Sequence, residues 1–127
     1  MLNYNSTMIN TEDLKKMVSF YSEVFDKKPD MDDEGYAGFV VGNGFFGIGF
    51  HDKIHGKNPN SDRILFNFET NDVKGEFERV SKIDGVKIVK EPYSMGDDSK
   101  YWIATLADPD GNYFQLVTPW NESEKKN

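Results

Sequence analysis

The chain contains two histidines, His51 and His55, which lie four residues apart. On a helix this spacing would direct both imidazoles towards one metal ion. The surrounding sequence favours a loop instead, because His51 follows a strand pattern and His55 lies among Gly, Asn and Pro residues. We therefore interpret both as solvent-facing loop histidines. His51 is the more strand-like of the two, so it is the candidate for a general base if it borders a binding cavity.

Glu69 is the second candidate for acid–base chemistry. Strict alternation places it on the same strand face as Leu65 and Asn67. Because Glu69 stands near a strand end, we interpret it as a solvated carboxylate at the rim of that face. The alternative is that it attracts a cationic or hydrogen-bonding group of a ligand.

The composition excludes several classes of protein. The 127 residues include no cysteine, which removes disulfides and thiol nucleophiles, and the formal net charge is −7. An acidic chain without a basic block does not suit nucleic acid. No apolar run approaches the ~20 residues of a membrane span, and the first residues do not form a signal peptide. We expect a soluble, cytoplasmic domain without membrane or nucleic-acid partners.

Two helices are predicted from apolar stripes. The first carries an apolar stripe from Leu14 to Phe25, with Thr11 as its N-cap, and the run 27–29 closes it. The second begins near Asp72 and ends at Asp84-Gly85. Its apolar face is formed by four residues, Val73, Phe77, Val80 and Ile83.

The two helix starts belong to an internal repeat. Residues 11–15 and 70–74 match in character at an offset of 59, and each follows a strand-like segment. Further strands are predicted at 36–41, 45–51, 86–90, 101–106 and 113–117, with Gly42-Asn43-Gly44 as a hairpin turn. We predict an α+β domain over residues 1–127, made of two tandem βαβββ modules. Module 1 covers about 4–53, a connector 54–62, module 2 about 63–118, and a polar tail 119–127.

Alternation divides the strand residues between two faces. The helix-facing side receives Phe46, Ile48, Phe50, Phe66, Phe68, Phe114 and Leu116. The other side receives Ser6, Met8, Asn10, Phe45, Gly47, Gly49, His51, Leu65, Asn67, Glu69, Tyr113, Gln115 and Val117. This mixture of polar, aromatic and small residues is typical of a ligand pocket. Tyr101 is predicted to point the same way, whereas Trp102 is predicted to pack under a helix.

Three features together resemble the glyoxalase / bleomycin-resistance / extradiol-dioxygenase group, the vicinal oxygen chelate superfamily. The segment Leu106–Leu116, with its Asp-Pro-Asp-Gly-Asn turn, is similar to the family's last hairpin. The pattern formed by 13–14, 20–21 and 24–25 is similar to its first helix. With the repeat, the resemblance covers about residues 4 to 118. It implies paired modules that form a curved mixed sheet around a cavity, with helices on the outer face, often completed by a second subunit.

The resemblance also implies positions for metal ligands, and here they hold unsuitable residues. The two first-strand positions fall at Ser6 and Leu65, and the last-strand position is Gln115. The fourth falls at Gly47 or Gly49. Serine hydroxyl and neutral amide groups are poor ligands beside imidazole and carboxylate. We therefore predict no metal and no cofactor.

Three functions remain open. The first is a homodimeric binding protein that holds a small cationic or aromatic molecule through Phe45, Asn67, Tyr101, Tyr113 and Gln115. The second is a metal-independent lyase or isomerase of the same superfamily, for which His51 and Glu69 are the catalytic candidates. The third is a protein-interaction domain whose cavity is incidental.

Overall fold

The computed structural model describes residues 1–95 and 100–120, so the predicted tail lies mostly outside the described residues. The chain divides into two compact units, 1–57 and 58–127. In its described residues, each unit contains one helix and one four-stranded mixed sheet. The predicted α+β class and the two βαβββ modules are confirmed. In the described part of the chain, no helix has the length and apolar character needed to cross a membrane.

The first unit contains five elements: β1 (Ser6–Thr11), α1 (Leu14–Phe25), β2 (Met31–Asp32), β3 (Tyr36–Val41) and β4 (Gly44–Phe50). The strand order is β1-β4-β3-β2, with β1 parallel to β4 and the other pairs antiparallel. The hairpin between β3 and β4 turns at Gly42, whose φ of +56° suits glycine. The sequence pattern does not predict β2, because two residues are too few to show alternation.

The second unit repeats this plan with β5 (Leu65–Glu69), α2 (Val73–Val80), β6 (Lys87–Ser94), β7 (Trp102–Ala107) and β8 (Tyr113–Val117). Its strand order, β5-β8-β7-β6, is the counterpart of the order in the first unit. The strand predicted at 86–90 extends four residues further, to Ser94. A proline and two irregularities in the pairing interrupt the alternation of side chains along β6, so the sequence pattern predicted a strand that was too short.

Both helices begin with the same pair of hydrogen bonds. The N-caps are Asp13 and Asp72, whose carboxylates accept from the backbone N–H three residues later at 3.2 and 3.0 Å. Thr11 and Thr70 instead accept from the backbone N–H of those aspartates, at 3.0 and 3.1 Å. The prediction of Thr11 as N-cap is therefore wrong: threonine shapes the approach to the helix, and aspartate caps it.

The two helices end differently. α1 ends at Phe25 and is capped by Asp26, which adopts the left-handed conformation with φ of +53°. α2 ends at Val80, earlier than the predicted stop at 84–85. The chain continues there through tight turns, in which the N–H of Ile83 donates to the carbonyl of Val80. These turns keep Ile83 buried, so the apolar periodicity outlasts the helix itself.

The helix-covered face of the first sheet is aromatic. Phe39, Phe46 and Ile48 are buried there, and the ring of Phe46 lies 4.9 Å from that of Tyr21 on α1. Phe50 was predicted on this buried face, but it is 53% exposed. It is the last residue of β4, where the buried stretch of the strand ends.

The helix-covered face of the second sheet follows the predicted alternation. Phe114, Leu106 and Leu116 are buried beneath α2, and Phe68 lies 6.0 Å from Phe114 between ring centres. Trp102 lies beside α2, as expected, because the Lys74 ammonium sits 3.8 Å from the centre of a Trp102 ring. This contact is a cation–π interaction.

A pH-dependent contact holds the loop that contains both histidines. Glu12 accepts a hydrogen bond from the Gly56 N–H at 2.9 Å and lies 3.3 Å from His55 Nδ1. The Gly56 hydrogen bond, followed by that of His55, lowers the pKa of Glu12 below its ordinary value of 4.5. Stability from this contact is therefore complete above pH 4.5 and is lost as the pH falls through the lowered pKa.

We expect the Gly56 amide proton to follow this titration. Its NMR chemical shift should change with a midpoint below pH 4.5 in the native protein, and Glu12→Gln should remove that transition. A midpoint at or above 4.5, or a transition that persists in Glu12→Gln, would contradict the contact. Glu34→Gln, a change elsewhere in the same unit, serves as the control.

Candidate functional site

The open face of the second sheet, defined as the side away from α2, carries three rows of side chains that run across all four strands. The strand register gives the rows Leu65–Tyr113–Ala107–Lys87, Asn67–Gln115–Thr105–Lys90 and Glu69–Val117–Ile103–Tyr93, each in the order β5-β8-β7-β6. Neighbouring side chains in a row start about 5 Å apart. The face therefore combines a polar middle row with apolar, aromatic and charged groups on either side.

A hydrogen bond organises the polar middle row. The Gln115 side-chain amide donates through Nε2 to Thr105 Oγ1 at 3.0 Å. This bond fixes the orientation of the amide, so the carbonyl oxygen of Gln115 is the acceptor offered to a ligand. Asn67, the cross-strand partner of Gln115, is exposed and adds a second amide. The row can thus both donate and accept hydrogen bonds.

Two irregularities in β6 determine which of its side chains join this face. Lys87, Lys90 and Tyr93 pair with Ala107, Thr105 and Ile103, and one extra β6 residue lies in each interval. Residues three apart point to opposite faces of an unbroken strand. Each extra residue acts as a β-bulge and reverses the orientation of the residues after it. The side chains of Lys87, Lys90 and Tyr93 therefore all reach the open face. The Lys90 ammonium lies 5.6 Å from the centre of the Tyr93 ring, in agreement with this placement.

The structure brings three of the five predicted ligand residues together. Asn67, Tyr113 and Gln115 lie on the open face of the second sheet. Tyr101 is half-buried one residue before β7, where its carbonyl accepts from the Met95 N–H at 2.8 Å. Tyr101 is two residues before Ile103, so alternation places its side chain at the edge of the same face. Alternation in the sequence did not place Lys87, Lys90 and Tyr93 on this face, because side chains do not alternate regularly along a bulged strand.

The fifth residue, Phe45, lies in the first unit, on the sheet face away from α1. The Phe45 ring lies against Gly38, which is two residues from Val40, the β3 partner of Phe45. In the same way, the Tyr36 ring on β3 covers Gly47 on β4. A Cβ at Gly47 would stand 2.7 Å from the Tyr36 hydroxyl. These two glycines therefore allow both rings to lie flat on the sheet. The space left by the missing side chains at Gly38 and Gly47 is thus filled by the protein's own aromatic rings.

The two catalytic candidates lie in different units. His51 follows β4, with a side chain 44% exposed, and its Nδ1 accepts from the Lys53 N–H at 3.1 Å. Accepting that bond places the proton of the neutral ring on Nε2. Glu69 is exposed at the end of β5 and accepts from the backbone N–H of Trp120 at 3.3 Å.

The side chains at the predicted ligand positions do not suit a divalent cation. Leu65 has no donor atom and is 43% exposed, Ser6 offers one exposed hydroxyl, and Gln115 offers a neutral amide oxygen, a poor ligand beside imidazole and carboxylate. Within residues 1–95 and 100–120, no group of three or more His, Cys, Asp or Glu side chains is placed to hold a metal ion. The donor set thus does not fit the metal centre that the resemblance implies.

Comparison with known families identifies the class. The model of the Glyoxalase/Bleomycin resistance protein/Dioxygenase superfamily matches residues 3–116, so the chain belongs to this superfamily. A search of curated protein sequences gave no match.

Solved structures share the fold at low sequence identity. A glyoxalase-related enzyme from Fulvimarina pelagi is 12% identical with a TM-score of 0.75, over 94% of this chain and 89% of that one. The fosfomycin resistance protein FosX from Mesorhizobium loti is 20% identical with a TM-score of 0.69, over 100% and 99%. A glyoxalase/bleomycin resistance protein/dioxygenase family enzyme from Burkholderia phytofirmans PsJN is 21% identical with a TM-score of 0.69, over 90% and 96%.

Proposed function

We propose that the protein binds a small organic molecule on the open face of the second sheet, without a metal ion. The observation that carries this proposal is the Gln115–Thr105 hydrogen bond, which holds an amide in a fixed orientation in the middle of a mixed polar and aromatic face. Oriented polar groups among apolar ones are what ligand sites use for specificity. Superfamily membership supports the proposal, because this family contains proteins that bind small molecules and proteins that transform them.

The face favours a ligand that is planar and carries a hydrogen-bonding group. Tyr113 lies half-buried in the row beside Gln115, where its ring offers an aromatic surface. The Gln115 carbonyl and the Asn67 amide can pair with an amide or a similar group. We infer that an aromatic portion contacts Tyr113 while a polar portion meets the two amides.

Binding explains these contacts better than acid–base catalysis. The Nδ1 atom of His51 is engaged by a backbone N–H, so its neutral ring has no available lone pair for accepting a substrate proton. The Glu69 carboxylate is exposed at a strand end and hydrogen-bonded to the backbone of Trp120. Neither group has the enclosed setting in which catalytic acids and bases are usually tuned.

Fluorescence titration with N-phenyl-1-naphthylamine, a neutral planar dye, tests this proposal. We expect saturable binding that 1-naphthamide displaces, because naphthamide adds the amide that Gln115 and Asn67 would pair with. Gln115→Leu should weaken 1-naphthamide about threefold to tenfold, the net effect of one lost hydrogen bond. Tyr113→Ala should weaken the dye about threefold or more through the loss of an aromatic contact.

Tyr4→Ala is the matched control, since Tyr4 is exposed in the first unit and should leave binding unchanged. Each variant is first checked for an unchanged melting temperature. Absence of saturable binding by both dye and naphthamide would overturn the proposal. So would binding that Gln115→Leu and Tyr113→Ala leave intact.

A further inference from the structure

We propose that the ligand of this face is an organic anion, whose acidic group pairs with Lys90 at the β6 end of the polar row. This inference rests on the proposed function and specifies its ligand class. It departs from the cationic ligand that the net charge of −7 suggested. The departure arises because two lysines are paired at the β6 end of this face, whatever the total charge of the chain.

The charges on the open face are unevenly distributed. Among the residues paired across its four strands, the β6 end carries Lys87 and Lys90, and the β5 end carries the single carboxylate, Glu69. Glu91 falls within the second irregular interval of β6, outside these pairs. The paired residues therefore carry two ammonium groups and one carboxylate, and Glu91 adds a second carboxylate next to Lys90 in the sequence. Attraction between exposed groups depends on charges within about 10 Å, not on the distant total.

Lys90 is directed onto the face by an unusual local structure. If β6 were regular, the spacing of three residues would leave Lys87 and Lys90 on opposite sides of the sheet. The extra residue between Ile88 and Lys90 aligns both with the open face and sets Lys90 opposite Thr105. Bulges of this kind are frequent beside binding sites, where they redirect a side chain.

The Lys90 ammonium remains available for a ligand. Among the residues that the structure describes, the ion pairs involve Lys27, His51, His55, Arg79 and Lys82, and neither Lys87 nor Lys90. Within the described residues, the Tyr93 ring lies 5.6 Å from this ammonium and carries no charge to neutralise it. An anion at this position would therefore gain an ion pair without breaking one.

The dimensions of the row indicate the kind of anion. Four strands about 4.8 Å apart give the row a length of about 14 Å from β5 to β6. A bicyclic aromatic acid fits this span, with its rings over Tyr113 and Gln115 and its acidic group at Lys90. A second acidic group at the β5 end would face Glu69, in the neighbouring row, so the face favours a single negative charge.

Three competitors with the same ring test the charge preference: 1-naphthoate, 1-naphthamide and 1-naphthylmethylammonium. Their affinities are measured directly by calorimetry at about 50 mM salt. We expect the naphthoate to bind roughly fivefold more tightly than the amide, as one partly exposed ion pair allows, and the ammonium to bind least. The advantage of the naphthoate should shrink at about 300 mM salt.

Lys90→Ala should remove the advantage of the naphthoate over the amide, and Lys90→Glu should reverse the order of naphthoate and ammonium. Lys82→Ala is the matched control, because Lys82 follows α2 and pairs with Glu78 instead of lying on the open face. Tightest binding by the ammonium, or an advantage of the naphthoate that survives Lys90→Ala, would overturn the anion proposal.

The outcomes separate the two proposals. If 1-naphthamide binds in a manner dependent on Gln115 but the naphthoate gains nothing from Lys90, then the binding function stands and the anion assignment fails. If none of the three naphthalenes binds, both fail. Because the lysine variants change an exposed side chain on an edge strand, we expect them to fold normally, and an unchanged melting temperature verifies this.

Discussion

Replacing Asp108 by alanine is expected to lower the free energy of unfolding by about 3 kcal/mol, since several partly buried hydrogen bonds lose one charged acceptor. Asp108 is 3% exposed. Its Oδ1 accepts from the N–H groups of Asp110 and Asn112, both at 2.9 Å, and its Oδ2 accepts from Asn112 Nδ2 at 3.0 Å. Alanine would leave all these donors without that acceptor inside the turn that joins β7 to β8.

The damage should spread beyond the turn. Asn112 Oδ1 accepts from Asn58 Nδ2 at 3.0 Å, and the Asp110 carbonyl accepts from the Asn58 N–H at 2.7 Å. A loosened turn therefore releases the start of the second unit as well. Chemical denaturation measures the effect, and Asp110→Ala, in the same turn, is the control. A loss below about 1 kcal/mol for Asp108→Ala would contradict the role assigned to this carboxylate.

Replacing Phe39 by alanine is expected to cost about 3 to 5 kcal/mol, whereas Phe45→Ala should cost much less. Phe39 is fully buried on β3, with its ring 5.2 Å from that of Phe25 on α1. Phe45, on the adjacent strand, is only half-buried and lies on the opposite face over Gly38. Removal of the first ring leaves a cavity, and removal of the second exposes a glycine to solvent.

Urea titration of the two variants provides the comparison, because both remove the same side chain from neighbouring strands. Equal losses in Phe39→Ala and Phe45→Ala would contradict the assignment of the two rings to opposite faces of the sheet.

Most of the fold could be predicted because burial imposes regular periods on the sequence. The apolar stripe of Leu14–Phe25 gave the bounds of α1, and alternation gave Tyr36–Val41 and Tyr113–Val117 as the structure has them. The repeat with an offset of 59 residues extends to the capping hydrogen bonds, since Asp13 and Asp72 cap their helices alike, although Thr11 was the predicted cap. The curved arrangement around a cavity stays a prediction.

What could not be predicted depends on local geometry that leaves no period. Thr11 and Asp13 are both good N-caps, and only the backbone conformation decides between them. Turns after Val80 keep Ile83 buried without continuing the helix. Asn67, Tyr113 and Gln115 could be found by alternation, but Lys90 could not, because a bulge is an insertion that only the pairing of two strands reveals.

The irregular β6 strand also has a consequence for solubility. It is the outermost strand of its sheet, eight residues long, with Ile88 and Val89 exposed. A straight strand of that length and character would present a template to which another polypeptide could add by edge-to-edge pairing. Bulges and lysines are two of the devices that prevent such addition. The distortion of β6 therefore disfavours pairing at this edge, and deleting Val89, which removes one of the two irregularities, should favour aggregation.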